Sequence, residues 1–382
     1  MTYTLRPYQQ EAVDAAIKSI SKWRPALIVA PTWAWKSLII AGLLDKLQWH
    51  TIIFQPSKEI LEQNYEKFVS CYGDSDVAIF SASAGSKEVA KITFATIWSV
   101  KNKPELFTHF NNILIDEAHG LNASWWMYKD FIKMVWTRNI IGLTATPYRM
   151  HTSMNGATIK ILTRTRPRVF SEISYVIWMD YMLDNGYLIK PSYHRVPWFD
   201  SSRLRSNSNW SEYSDASVRE YFQDIRFDNS MLDIVKRLVN KWRKGILVFT
   251  YSVEDAHFIK EQLWDIACVI TGTDKKKDRE EKVRMFKSWE YIVALNFGTM
   301  TTWFDYPALD TVVVWRPTKS VALWTQMIWR VLRQYPNKDW WVVDMCDNVL
   351  RMWKVEEYKL VDPGWWKRYL HNWQRMLTWV LI

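Results

Sequence analysis

Short apolar runs alternate with segments of helical spacing along the first part of the chain. Ala12, Ala15, Ile17 and Ile20 recur at helical intervals behind Leu5-Arg6-Pro7-Tyr8-Gln9-Gln10 and predict an N-terminal helix. Residues 26–30 and 113–115 are uninterrupted apolar runs, as expected of strands buried on both faces of a parallel sheet. Further strands are expected at 51–54, 77–80, 91–95 and 139–143. Helices are expected at 38–47, after Ser57 as a cap, and near 127–135. This alternation predicts a doubly wound α/β domain over 1–160.

The pattern changes over 161–229. Arg164, Arg166 and Arg168 make a basic stretch, and 201–217 is rich in Ser and Asn and reads as a loop. This region is expected to bridge two domains. A second α/β domain is expected at 230–350, with helices at 231–242, 253–263, 275–288 and 323–332. Its strands are expected at 246–250, 267–270, 291–296, 311–314 and 341–345. Residues 351–382 interleave aromatic and basic side chains as a C-terminal extension.

The net charge of +10 favours a polyanionic partner. Cys71, Cys268 and Cys346 are far apart, which excludes a CxxC zinc site or a disulfide framework and suits a reducing, cytoplasmic compartment. The segment Met1-Thr2-Tyr3-Thr4-Leu5-Arg6 lacks the apolar core of a signal peptide, and no apolar run is long enough for a membrane span.

Asp116-Glu117-Ala118-His119 follows the run at 113–115. Functional groups of such sheets sit just past the carboxyl ends of the strands. Asp116 can hold a magnesium ion there, and Glu117 can orient or deprotonate a water, as nucleoside triphosphate hydrolysis requires. A strand end with two solvated acids fits the tetrapeptide equally well. Pro31-Thr32-Trp33-Ala34-Trp35-Lys36-Ser37 lies between a strand and a helix. Strand, loop, Lys-Ser, helix is the layout of a phosphate-binding loop: backbone amides surround the phosphates, Lys36 reaches the outer ones and Ser37 holds magnesium.

In this order the segments resemble the superfamily 2 helicases, in particular the phage and bacterial DEAD/DEAH-box helicases related to UvsW and the type III restriction motors. The resemblance covers nearly the whole chain, and it implies two tandem RecA-like α/β domains, each a mostly parallel sheet with helices on both faces. It implies ATP and Mg2+ as cofactors and DNA, single-stranded or branched, as partner, with RNA as the alternative. Arg6, Tyr8 and Gln9 resemble the adenine-side motif, in which an aromatic stacks on the base and an amide reads its edge; a helix-capping segment is the other reading. Thr32, Trp33, Ala34, Trp35, Lys36 and Ser37 match the phosphate loop, and Asp305 is carried over as a nucleotide-binding residue. His119, Thr144 and Thr146 match residues that couple hydrolysis to domain movement. Gln326, Arg330 and Arg333 match the QxxGRxxR helix, where two arginines on one face would act as fingers on the γ-phosphate, worth about 10³–10⁵ in rate. Ser57, Lys58, Thr96, Thr301 and Thr302 match nucleic-acid contacts, although plain helix caps fit them as well.

The chain departs from the family in one direction. Trp33, Trp35, Trp303 and Trp329 stand where the family has glycine, and Trp98, Trp125, Trp126, Trp289 and Trp353 also fall at such positions. There are 25 tryptophans and 11 glycines, and that glycine content is roughly 3% against a usual ~7%. Glycine lets backbone touch phosphate and take positive φ. A bulky residue there costs about 1–3 kcal/mol in strain, and its indole fills space the triphosphate needs. Two readings follow: a non-hydrolysing nucleic-acid-binding protein with a helicase fold, or UGA codons that mean glycine in the cell and are written as tryptophan. The intact Lys36, Asp116, Glu117, Arg330 and Arg333 favour the second.

Overall fold

The computed structural model describes all residues except 1–3, 32–33, 74, 122–124, 138, 154–155, 166–167, 209, 299–303, 305, 362–368, 373–374 and 379–382. The chain divides into two compact units. One comprises Met1–Arg149 and Ile159–Trp178, the other Met150–Thr158 and Met179–Trp379.

The first unit is built on eight strands: β1 (Ala26–Val29), β2 (Thr51–Phe54), β3 (Val77–Ser81), β4 (Ser86–Lys87), β5 (Ile92–Ala95), β6 (Asn112–Ile115), β7 (Asn139–Thr144) and, after the hairpin strands β8 (Tyr148–Ser153) and β9 (Gly156–Ile161), β10 (Glu172–Val176). Their order is β10-β1-β7-β6-β2-β5-β3-β4, and only the β3–β4 pair is antiparallel. β1, β2 and β6 are buried at every residue, which is why they read as unbroken apolar runs. Helices α1 (Pro7–Ile20), α2 (Lys36–Lys46), α3 (Lys58–Tyr72), α4 (Ile97–Val100) and α5 (Trp125–Val135) connect and flank them. Phe54, Phe107, Phe131, Ile113 and Ile115 pack into one core on one side of the sheet.

The second unit holds β11 (Ser192–Arg195), β12 (Ile246–Phe249), β13 (Ala267–Thr271), β14 (Val293–Phe297), β15 (Thr311–Val314) and β16 (Trp341–Asp344), all parallel, in the order β11-β16-β15-β12-β14-β13. Its helices are α6 (Met179–Asp184), α7 (Asp215–Asp224), α8 (Phe227–Asn240), α9 (Val253–Leu263), α10 (Lys276–Lys287), α11 (Val321–Ile328) and α12 (Asn348–Met352). A three-stranded antiparallel sheet of β17 (Lys359–Val361), β18 (Tyr369–Asn372) and β19 (Arg375–Thr378) follows. Local chemistry starts these helices: Ser252 and Asp255 form a reciprocal capping box at α9, with bonds of 2.9 and 3.0 Å.

The stretch 161–229 is not a separate bridge. β10 extends the first sheet beside β1, pairing Leu27 with Ile173, while β11 extends the second beside β16. Edge strands leave backbone donors and acceptors open, and these two segments satisfy them. The expected loop at 201–217 also gives way to helix from Asp215.

Candidate nucleotide site in the first unit

Lys36 opens α2, and Asp116 and Glu117 follow β6. Fold topology brings them together. The Lys36 ammonium is buried; it bonds the Glu117 carboxylate and lies 3.7 Å from Asp116 Oδ1. Asp116 Oδ1 also accepts the Glu117 backbone N–H at 2.9 Å. Its Oδ2 accepts from Asn64 Nδ2 at 3.2 Å, and the same amide donates to Gln55 Oε1 at 3.1 Å. The sequence reading missed Asn64. Its signal was a polar residue on the inward stripe of α3, between buried Leu61 and Phe68.

These contacts set the protonation states. Burial pushes the Lys36 ammonium down, but the charges of Glu117 and Asp116 outweigh it and hold it above its ordinary value. Burial raises the Asp116 carboxyl, with Lys36 opposing. Burial also acts against Glu117, yet Lys36 and His119 pull it down to about 2. Glu117 sits in the left-handed backbone region, φ 46° and ψ 49°, a strained setting of the kind found at functional sites.

His119 links this cluster to β7. Its Nδ1 lies 3.3 Å from Glu117 Oε2 and 3.1 Å from Thr144 Oγ1. The Thr144 hydroxyl donates to the Thr146 carbonyl and accepts the Thr146 N–H, both at 3.1 Å. Since that hydroxyl proton is engaged, Nδ1 is the proton-bearing nitrogen of His119. Gly142 of β7 lets the Phe170 ring and Ala118 lie directly over the strand, where a Cβ would meet the ring at 2.5 Å and Ala118 at 3.0 Å.

At the N-terminus the capping alternative is realised. Gln9 Oε1 accepts the Arg6 N–H at 2.9 Å, while Gln9 Nε2 donates to the Ala34 carbonyl at 3.1 Å, tying α1 to the phosphate loop. Tyr8 is fully buried, so its ring has no face open to a base; the stacking role implied for it does not fit, because the ring fills the core under α1. Arg6 and Lys67 instead cover the Trp35 indole, 5.6 and 4.5 Å from its centroid. Ser37 is half-buried next to Lys36. Thr32 and Trp33 lie outside the described residues, as do Arg166, Thr301, Thr302, Trp303 and Asp305.

Ser57, Lys58 and Thr96 line one groove of about 430 Å3 together with Asp116 and Glu117. Ser57 also caps α3 through Ile60 N at 3.4 Å, and Thr96 Oγ1 bonds Ser81 and Ser99 at 3.2 and 3.0 Å. Lys58 reaches the Ser83 carbonyl at 2.6 Å.

In the second unit, half-buried Gln326 lies on α11, which ends at Ile328. Arg330 and Arg333 therefore do not share a helix face. Arg330 is buried and donates from Nη1 to the Phe304 carbonyl at 2.6 Å. Arg333 is half-buried in an isolated antiparallel bridge to Leu188. The physical reason is backbone pairing: Ile189 N–H takes the Leu332 carbonyl at 3.0 Å, and Lys338 and Trp340 donate to the Arg333 carbonyl at 3.2 and 2.7 Å. Trp329 has ordinary helical φ of −58°, so its backbone does not call for glycine.

Residues 2–149 match the family model described as type III restriction enzyme, res subunit, and residues 230–334 match the helicase conserved C-terminal domain. The chain belongs to the superfamily 2 helicases. Within that superfamily it is 23% identical over 372 residues to a putative mitochondrial ATP-dependent helicase, irc3, of Schizosaccharomyces pombe, covering 91% of this chain and 58% of that protein. It is 22% identical to the DNA 3'-5' translocase XPB2 of Sulfurisphaera tokodaii, covering 86% of this chain and 79% of that protein. Against the first of these, then, the chain spans under two thirds of its relative's length. Its fold is similar to a fragment of a putative HsdR subunit of a type I restriction enzyme from Vibrio vulnificus, with a TM-score of 0.65, 18% identity, and coverage of 92% of this chain and 66% of that one. Among the described residues, no helix is long and apolar enough to cross a membrane.

Proposed function

We propose that this chain is an ATP-driven translocase or helicase acting on DNA in the cytoplasm. The carrying observation is the cluster in which Lys36, at the head of α2, meets Asp116 and Glu117 past β6. Held by Lys36, Glu117 is a weak proton acceptor. Incoming phosphates compete for the Lys36 ammonium; releasing Glu117 raises its proton affinity, so that it can take a proton from the attacking water. The donor set suits magnesium, which favours one or two oxygen side chains plus phosphate oxygens. Ser37 and Asp116 would hold it, and it would supply positive charge to the phosphates. The His119–Thr144–Thr146 chain carries the change at Glu117 into β7. Arg330 holds the Phe304 segment, while Arg333 and Gln326 supply a guanidinium and an amide for nucleotide phosphate.

Ser57, Lys58 and Thr96 share a groove with the acids, which suits strand phosphates contacted without sequence readout. The choice of DNA rests on the name of the Sulfurisphaera tokodaii relative and on the basic charge. The test is ATP turnover by the form with glycine at 33 and 35, with single-stranded, forked and duplex DNA and with RNA. Stimulation by DNA is the expected result, and turnover indifferent to every nucleic acid would overturn the proposal.

The second reading is a non-hydrolysing nucleic-acid-binding protein, and Trp35 is what favours it. An indole at the end of the phosphate loop, on left-handed backbone, stands where phosphate needs bare main chain. Assaying the chain as written beside one with glycine at 33 and 35 separates the two. Hydrolysis is expected in the glycine form only.

A further inference from the structure

Among the described residues, 13 that are not glycine have positive φ, and eight of them are tryptophan: Trp23, Trp35, Trp136, Trp210, Trp242, Trp264, Trp289 and Trp353. No described tyrosine or phenylalanine does, although the chain has 18 and 16 of them. A preference of aromatic side chains for these turns is thereby excluded. Side chains avoid this region because Cβ crowds the backbone, and a bulky residue there is a true outlier.

The places are those that glycine takes. Trp23, Trp136, Trp242, Trp264, Trp289 and Trp353 each follow the end of a helix. At Trp23 the N–H bonds the Ile20 carbonyl at 2.8 Å and the next N–H bonds Ser19 at 3.1 Å. At Trp242 the same two bonds run to Val239 and Leu238, at 2.9 and 3.2 Å. This is the paired closure that ends helices on a left-handed residue, most often glycine. Trp264, at φ 49° and ψ −123°, and Trp353, at φ 61° and ψ −175°, lie further out; the second is in the region essentially confined to glycine.

The indoles confirm the division. Those of Trp136 and Trp242 are 90% and 85% exposed. Trp315 and Trp324 are fully buried, and Trp324 Nε1 donates to the Trp353 carbonyl at 3.0 Å. The indoles of Trp136 and Trp242 stand in solvent, while those of Trp315 and Trp324 fill a core.

We infer that the cell's own protein carries glycine at these eight positions and tryptophan at Trp315 and Trp324, because UGA codons are decoded there by a glycine-charged transfer RNA. Five of the eight, Trp23, Trp136, Trp210, Trp242 and Trp264, correspond to no helicase motif, so the inference stands apart from the ATPase reading. It covers Trp35 all the same, and would return bare backbone to the phosphate loop.

The test is to sequence the gene at these codons and to weigh peptides of the protein purified from its own cells. The expected result is UGA with a glycine mass at 23, 35, 136, 210, 242, 264, 289 and 353, and UGG with a tryptophan mass at 315 and 324. A tryptophan mass at 23, 136 or 242 would overturn the inference, as would glycine at 315 or 324. Glycine masses with no ATP turnover would sink the proposed function alone.

Discussion

Replacing Lys36 by Met tests the electrostatics of the site. The substitution leaves two buried carboxyls, Asp116 and Glu117, without their cation. Lys36 and His119 hold Glu117 at about 2, against 4.5 ordinarily. Each tenfold change in proton affinity is worth ~1.4 kcal/mol, so the pull on Glu117 supplies roughly 3 kcal/mol at neutral pH. Asp116, raised by burial, subtracts from this. A loss of about 2–3 kcal/mol is expected, at the lower end of what breaking a buried pair costs. The pH dependence has a definite sign. A depressed carboxyl contributes stability above its unfolded value, near ~4.3, and loses it only as pH falls through about 2. The unaltered protein therefore keeps this contribution between pH 7 and 5. In the variant, burial with no ammonium raises both carboxyls. Raised carboxyls favour folding below their unfolded values and lose that benefit as pH climbs through the folded ones. The variant should be weak at pH 7 and recover toward pH 5. Amide exchange across β1 and β6 reads this unit separately from the other. An equal deficit at both pH values would refute the reasoning.

Trp23→Gly, Trp136→Gly and Trp242→Gly should each raise stability by about 0.5–1 kcal/mol, since relief of left-handed strain exceeds the entropy cost of glycine. Lower denaturant midpoints in all three would contradict this, while Trp315→Ala, in the core, should cost about 3–5 kcal/mol. In the glycine form, Glu117→Gln should keep ATP binding and cut turnover by about 10²-fold or more; unchanged turnover would remove Glu117 from the chemistry. Arg330→Ala should destabilise the second unit by about 2 kcal/mol through loss of a buried charged donor to Phe304. An unchanged melting temperature for that unit would contradict the packing described.

The linear chain determined the strands, because burial on both faces demands the unbroken apolar runs of β1, β2 and β6. It also put candidate polar groups at their ends, since Lys36-Ser37 and Asp116-Glu117 are adjacent in sequence and legible as motifs. Even the crowding of tryptophan at glycine positions was visible wherever a motif supplied the comparison. Only the tertiary structure decided what each group touches. That Lys36 rests on Glu117, that Asn64 steadies Asp116, and that β10 lies beside β1 depend on strand order and register, which bring together residues far apart in the chain. The resemblance implies that Arg330 and Arg333 share one helix face as fingers, but α11 ends before both, and Leu332 and Arg333 pair instead with the backbone of 188–189. Side-chain periodicity records which face of an element is buried; it carries no record of backbone sign. The left-handed turns at Trp23, Trp136 and Trp242 emerged only when hydrogen bonds had closed the ends of α1, α5 and α8.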